Sequence, residues 1–301
     1  MEIIRARVLG FCSGVRRAVK AADSVLSSRP GGSVYSLGPL IHNPLVLGGF
    51  ARRGLKILSE DGIRSLSGGD AVVVRAHGVS PELMERIARS GAAVVDATCP
   101  LVTQSQRRVA DFASRGFSIV FAGDANHGEV VGIEGWARKA AAEQGRAHSF
   151  FLVKDDGELS ALLASGAFGS SENVALLCQT TFSVPVFRRI VALLKESVPS
   201  AEVVDSICPA THERQDALES LCEQVGAVVV IGGKASANTG RLLRAAVARG
   251  KKAFLVESAD DISPRMREEL GAFGSVGISA GASTPDDVID RVEQALRESR
   301  A

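Results

Sequence analysis

The stretch Val94-Val95-Asp96-Ala97-Thr98-Cys99-Pro100 recurs 109 residues later as Val203-Val204-Asp205-Ser206-Ile207-Cys208-Pro209. Each copy is an apolar run that ends in Asp, then two small or β-branched residues, then Cys-Pro. A Val-rich run bounded by Pro reads as a buried strand of a parallel sheet. Each Cys then falls just past a strand's carboxyl end, where open α/β sheets gather their ligands. Residues 3–9, followed by Gly10-Phe11-Cys12-Ser13-Gly14, form a weaker third copy. Three strand ends with one Cys each argue for three related units whose strand ends face one point.

The rest of the chain fits that scheme. Apolar runs at 33–37, 71–75, 118–122, 149–153, 173–178, 227–231, 253–256 and 274–278 alternate with helix-like stretches at 15–27, 81–89, 102–114, 184–196, 211–224, 241–249 and 285–299. A loop is expected at 28–32. This alternation predicts an α/β protein with parallel sheets. Apolar residues make up 46% of the chain and the net charge is +1, so a sizeable core forms and nothing recommends a nucleic-acid or membrane surface. No apolar run reaches the length of a membrane span. Arg5 and Arg7 interrupt the only apolar stretch near the start, so no signal peptide is expected and the setting is cytoplasmic. There disulfides are rare. Five cysteines with no Cys-x-x-Cys pair point to metal-binding, catalytic or core thiols.

Nearly every apolar run ends in Cys, His, Thr, Ser or Asn. His42, His77 and His127 lie in such loops, each followed by Asn or Gly. Any one of them alone is an ordinary hydrogen-bonded loop histidine; three of them beside three strand-end cysteines suggest a ligand. Cys178 and Cys222 sit among apolar neighbours and read as core. Cys12, Cys99 and Cys208 are far apart in sequence, so only the fold unites them. Cys12 precedes a helix, whose positive end favours negative charge. Three thiolates leave two options, a zinc site with three cysteine ligands or an iron–sulfur cluster with one iron open for substrate. Glu129, two residues after His127 in a Gly-flanked loop, is either an exposed acid or a proton donor. Thr180, Ser236, Asn238 and Ser283 have no nucleophile-activating pattern and suit hydrogen bonding to an anion. The stretch Gly232-Gly233-Lys234 is no P-loop, and no G-x-G-x-x-G opens a helix after a strand.

Together these residues resemble one family, the 4-hydroxy-3-methylbut-2-enyl diphosphate reductases (IspH, or LytB). The resemblance rests on Gly10-Phe11-Cys12-Ser13-Gly14-Val15, His42-Asn43-Pro44, Arg75-Ala76-His77-Gly78-Val79, Asp96-Ala97-Thr98-Cys99-Pro100, His127 with Glu129, Gln179-Thr180-Thr181, Ile207-Cys208 with Arg214-Gln215, Lys234 with Ser236 and Asn238-Thr239, and Gly281-Ala282-Ser283. It implies a pseudo-threefold trefoil of α/β units around a central [4Fe-4S] cluster held by Cys12, Cys99 and Cys208. The units would span 14–98, 99–206 and 207–284 with the N-terminal strand 1–13, and a C-terminal helix would occupy 285–301. His42, His77, His127, Thr180, Ser236, Asn238 and Ser283 would hold the substrate, and Glu129, His127 and Thr180 would deliver protons. Isopentenyl and dimethylallyl diphosphate would be the products, with an external electron donor such as ferredoxin or flavodoxin. The contrasting reading is a non-catalytic relative that binds a phosphorylated ligand, or a structural zinc site of three cysteines. Five positions depart from the family pattern. Ala237 stands where a second Ser is usual, and Gly128 replaces a Pro, which should loosen the loop that carries Glu129. Gln104 replaces a Lys, and His212-Glu213 precedes Arg214.

Overall fold

A computed structural model describes residues 1–28, 32–168 and 173–298. Strands and helices alternate throughout. The chain opens with β1 (Glu2–Arg5), α1 (Ser13–Ser28), β2 (Val34–Leu37), α2 (Pro44–Arg52), β3 (Leu55–Leu58), β4 (Ala71–Val74), α3 (Pro81–Arg89) and β5 (Ala93–Asp96). It continues with α4 (Pro100–Ser114), β6 (Ser118–Ala122), α5 (Gly128–Glu143), β7 (Phe150–Val153), α6 (Asp156–Ala164), β8 (Val174–Cys178), α7 (Val184–Ser197) and β9 (Glu202–Val203). Then come α8 (Pro209–Gln224), β10 (Ala227–Ile231), α9 (Ala237–Ala248), β11 (Lys252–Val256), α10 (Pro264–Gly271), β12 (Ser275–Ala280) and α11 (Asp286–Arg297). Residues 29–31 of the expected loop and 299–301 of the expected last helix lie outside the described residues. Among the described residues no helix is long and apolar enough to cross a membrane.

The chain divides into two compact units. The first comprises Met1–Val19, Ile41–Gly54 and the chain from Pro209 onward; the second comprises Lys20–Leu40 and Leu55–Cys208. The second unit holds two parallel sheets, ordered β3-β2-β4-β5 and β7-β6-β8-β9. The first unit holds one, ordered β11-β10-β12-β1, also parallel. All three sheets follow one plan: second strand, first strand, third strand, fourth strand. In the first unit the fourth place is filled by β1, from the opposite end of the sequence. The expected α/β class with three related parallel sheets is thus borne out.

The central strands are the dry ones. Every residue of β4, β6, β8 and β10 is buried, as expected where helices cover both faces. Their alternation divides the core. Val229 and Ile231 of β10 pack with Val288, Ile289 and Val292 of α11, whereas Val228 and Val230 pack with Leu218, Leu221 and Leu242 of α8 and α9. Each such Val or Ile contributes about 1.5–3 kcal/mol through burial.

Two expectations need correction. The Cys-bearing runs are parallel strands but not buried ones: β5 is half exposed, and β9 is two residues long. They lie at sheet edges, so one side of each has no covering strand. The helices after the cysteines also begin earlier than the apolar periodicity suggests. Pro100 and Pro209, read from sequence as strand boundaries, are first helical residues. Proline is suited to that place because its missing N–H has no partner there in any helix.

Candidate functional site

Each strand-end cysteine directly precedes a helix: Cys12 before Ser13 of α1, Cys99 before Pro100 of α4, Cys208 before Pro209 of α8. Each is also tied to the third strand of its own sheet by the same bond. The Cys99 N–H donates to the Ala76 carbonyl at 3.0 Å, the Cys208 N–H to Thr180 at 2.9 Å, and the Cys12 N–H to Ala282 at 3.1 Å. Ala76, Thr180 and Ala282 each lie two residues past the end of β4, β8 or β12. The three cysteines therefore occupy one position of a threefold-repeated motif. The helix N-terminus beside each favours negative charge. The Val15 N–H reaches Cys12 Sγ at 3.4 Å. Asp96 and Asp205 serve their loops, accepting from the Thr98 and Ile207 N–H groups at 2.9 and 3.0 Å.

Cys178 and Cys222 differ in kind. Both are buried, whereas Cys12, Cys99 and Cys208 are partly exposed. Burial pushes the Cys178 thiol up to about 12 and raises that of Cys222. A thiol held protonated is a poor metal ligand, so these two are core residues.

The second unit gathers His77, His127, Glu129 and Thr180. The loop after β6 turns through Asn126 at φ +62°, a left-handed conformation that Asn tolerates, and delivers His127 as the N-cap of α5. His127 Nδ1 accepts the Glu129 N–H at 3.2 Å. A neutral His127 therefore carries its proton on Nε2, as a donor toward an anion. The His77 ring meets the His127 ring edge-on, with centroids 5.2 Å apart. Glu129 is 1% exposed and sits in the first turn of α5, not in an open loop. The Thr180 N–H donates to its Oε1 at 2.6 Å and the Thr180 hydroxyl to its Oε2 at 2.8 Å.

Glycine determines how α5 packs. A Cβ on Gly132 would touch the Val79 backbone at 3.4 Å, and one on Gly135 would strike Ser80 at 2.4 Å. Trp136 Nε1 donates to the Val79 carbonyl at 3.1 Å. The helix that carries Glu129 thus lies tightly against the loop that carries His77. Gly128 does not loosen the segment: it is the first residue of α5, and a Cβ there would lie 2.6 Å from Arg75 Nη2.

The first unit gathers Cys12, His42, Ser236, Asn238 and Ser283. The Ser283 hydroxyl donates to the His42 carbonyl at 3.2 Å, one residue past the Ala282 carbonyl that receives Cys12. Gly233 lies so close to the His42 carbonyl that a Cβ would come within 2.3 Å of it. Ser236, expected in a loop, is the N-cap of α9, and Asn238 falls in that helix's first turn. Asn238 is 4% exposed, and its Nδ2 has no hydrogen-bond partner. A buried amide donor without an acceptor costs about 1–3 kcal/mol unless a ligand supplies one, so this helix N-terminus fits an anion. His42, His127 and Ser236 are equivalent: each lies five residues past the first strand of its sheet.

Three residues escaped the sequence reading as separate actors. Gln179, fully buried, accepts the Asp124 N–H at 3.0 Å and donates to Thr181 at 2.9 Å, which ties the His127 and Thr180 loops together. Arg214, 3% exposed, donates to the Gly10 and Ala210 carbonyls at 2.6 and 2.7 Å. Arg75 lies beneath Gly128. Gln179 and Arg214 stood inside quoted motifs, but nothing in the sequence says which carbonyls they reach.

The sequence model of a family described as LytB protein matches residues 3–297. The 4-hydroxy-3-methylbut-2-enyl diphosphate reductase of Treponema pallidum is 43% identical, over 99% of this chain and 84% of that protein. Among solved structures, the E-1-hydroxy-2-methyl-but-2-enyl-4-diphosphate reductase of Plasmodium falciparum superposes with a TM-score of 0.87 at 25% identity, covering 97% of this chain and 87% of that one. A second, described as the terminal enzyme of the non-mevalonate pathway, gives 0.67 at 33% identity, covering 99% of this chain and all of that one.

Proposed function

The chain belongs to the LytB protein family, and from that premise we propose that it is a reductase of (E)-4-hydroxy-3-methylbut-2-enyl diphosphate in non-mevalonate isoprenoid biosynthesis. The allylic C–O bond breaks, the hydroxyl leaves as water, and two electrons and two protons are consumed. The products are isopentenyl and dimethylallyl diphosphate, because an allylic anion accepts a proton at either end. The electrons come from an external carrier such as ferredoxin or flavodoxin. The fold is read as three units, 14–98, 99–206 and 207–284 with strand 1–13.

Cys12, Cys99 and Cys208 would hold a [4Fe-4S] cluster. Their fit rests on one observation above the others: three partly exposed thiols at equivalent positions, each at a helix N-terminus and each anchored by the same backbone bond. When bound, the cluster supplies one-electron reducing capacity and a Lewis-acidic iron. The protein's own groups do the rest. His42, His77, His127, Ser236, Asn238 and Ser283 donate hydrogen bonds to the diphosphate. Glu129 is the proton source, and the Thr180 hydroxyl at 2.8 Å from Oε2 relays its proton by turning from donor to acceptor. A buried, bonded Glu–Thr pair favours turnover over a binding-only relative, which needs no acid at that place.

Protein isolated without oxygen should be brown, contain iron, and convert the substrate when given a low-potential reductant. Colourless protein with stoichiometric zinc would sink this reading.

A further inference from the structure

Arg75 follows β4 directly, two residues before His77. Its guanidinium is largely buried, and burial lowers its affinity for the proton. Among the described residues it has no ion pair. Its one hydrogen bond is long, Nε to the Gly78 carbonyl at 3.4 Å, and Glu60 acts on it only as a more distant charge. Two glycines make room for it. A Cβ on Gly38 would lie 2.7 Å from Nη1, and one on Gly128 would lie 2.6 Å from Nη2 and 2.7 Å from Cζ.

Gly128 is also the first residue of α5, sixteen residues long. A guanidinium therefore rests against the positive end of a helix with no ion pair to a carboxylate among the described residues, the Glu129 carboxyl of that first turn being held by Thr180. That is a doubly unfavourable setting: like polarity at a helix terminus and desolvation of a charge. The Gly128 that it lies against directly follows His127, whose ring meets that of His77 edge-on. An imidazole can donate a hydrogen bond without bringing a charge, whereas a guanidinium always brings one.

We propose that Arg75 is the fixed positive charge of the diphosphate-binding end, working beside His77, His127 and the α5 N-terminus, where Gly128 leaves its guanidinium room. This rests on the functional reading above.

The test uses anaerobic holoenzyme and its Arg75→Met, Arg75→Lys and Gly128→Ala variants. Substrate KM and kcat, inhibition by inorganic diphosphate, and thermal midpoint are measured for each. Arg75→Met should raise KM and the diphosphate Ki together, by roughly ten- to hundredfold, as loss of one charge-assisted contact does. The fall in kcat should be smaller than the rise in KM. Arg75→Lys should recover part of the loss, since it keeps the charge but not the planar fork. Gly128→Ala should raise the Ki in the same direction with every charge retained, because its Cβ displaces the guanidinium. Wild-type KM and Ki in Arg75→Met would overturn the proposal and leave the functional reading intact. So would falls in kcat and thermal midpoint at an unchanged Ki, which mark a packing role. Should Arg75→Met fail to accumulate, an unchanged Ki in both other variants overturns it. Wild-type protein that neither turns over nor responds to diphosphate would defeat both.

Discussion

Replacing Glu129 with Gln tests the assignment of the proton source more sharply than any other single change. The carboxyl accepts hydrogen bonds from Thr180 at both oxygens, at 2.6 Å from the backbone N–H and 2.8 Å from the hydroxyl. A Gln side chain can keep both contacts. Its carbonyl accepts the Thr180 N–H, and its NH2 donates to the Thr180 hydroxyl, which reverses direction. Even if each original bond had the strength of a bond to a charged group, about 1.5–3 kcal/mol, each replacement would still supply about 0.5–1.5 kcal/mol. At mid-range the net loss is then about 2.5 kcal/mol, reduced further because a buried charge no longer needs solvating. Folding and iron content should survive. Catalysis should not, since an amide cannot supply the proton. A positioned general acid accounts for about 10²–10⁴ in rate, so kcat should fall by a factor in that range while inorganic diphosphate binds as to wild type. The assay is anaerobic turnover with reductant in excess, with visible absorption and iron content recorded on the same sample. A near-normal kcat in iron-replete Glu129→Gln would refute the assignment and shift the proton source to His127, Thr180 or the substrate itself.

Cys12→Ser, Cys99→Ser and Cys208→Ser should each lose stable iron binding, whereas Cys178→Ser and Cys222→Ser should keep it; the brown colour of anaerobic protein reads this directly. The Cys178 thiol, pushed up from 9.0 to about 12, stabilises the fold fully below about pH 9 and loses that contribution as pH rises toward 12, because the unfolded chain releases its proton first. Denaturant unfolding of the wild type should therefore weaken about 1.4 kcal/mol per pH unit faster over that window than that of Cys178→Ala, and parallel curves would contradict the burial argument. His77→Ala and His42→Ala should weaken diphosphate binding. Ala237→Ser, which restores a hydroxyl in the first turn of α9 beside the Asn238 amide, should bind as tightly or more tightly, as calorimetry with inorganic diphosphate would reveal.

The parts of this fold that the sequence disclosed were those written in local pattern. The apolar runs of β4, β6, β8 and β10 announced themselves because each is buried on both faces. Cys178 and Cys222 read as core from their neighbours. What stayed hidden depended on distant partners. Glu129 looked like a loop residue because Gly128 precedes it. The helix begins there anyway, since Gly132 and Gly135 let α5 approach Val79 and Ser80. The edge position of β5 and β9 was invisible, because an apolar run does not declare how many strands flank it. The pairing of β1 with β12 joins residues 2–5 to 275–278; no local pattern encodes such a pairing, and only the family resemblance suggested grouping strand 1–13 with 207–284.

That pairing explains how one repeated plan carries different chemistry. Past the fourth strand of each sheet stands a Cys, held by the same bond to the loop after the third strand. Past the first strand, at one equivalent position, stand His42, His127 and Ser236. In the loops after the third strand stand His77, Thr180 and Ser283. The fourth-strand position is uniform and the other two are not. A uniform position suits a ligand that asks the same of every unit, as three irons of a cubane ask for three thiolates. The varied positions suit a ligand with two unlike ends. On the proposed reading, one end is a diphosphate that would take imidazole, hydroxyl and amide donors, and the other an allylic alcohol that would take the Glu129–Thr180 pair. On that reading, duplicating the pair beside another sheet would bring no second substrate hydroxyl to protonate, so one such pair suffices.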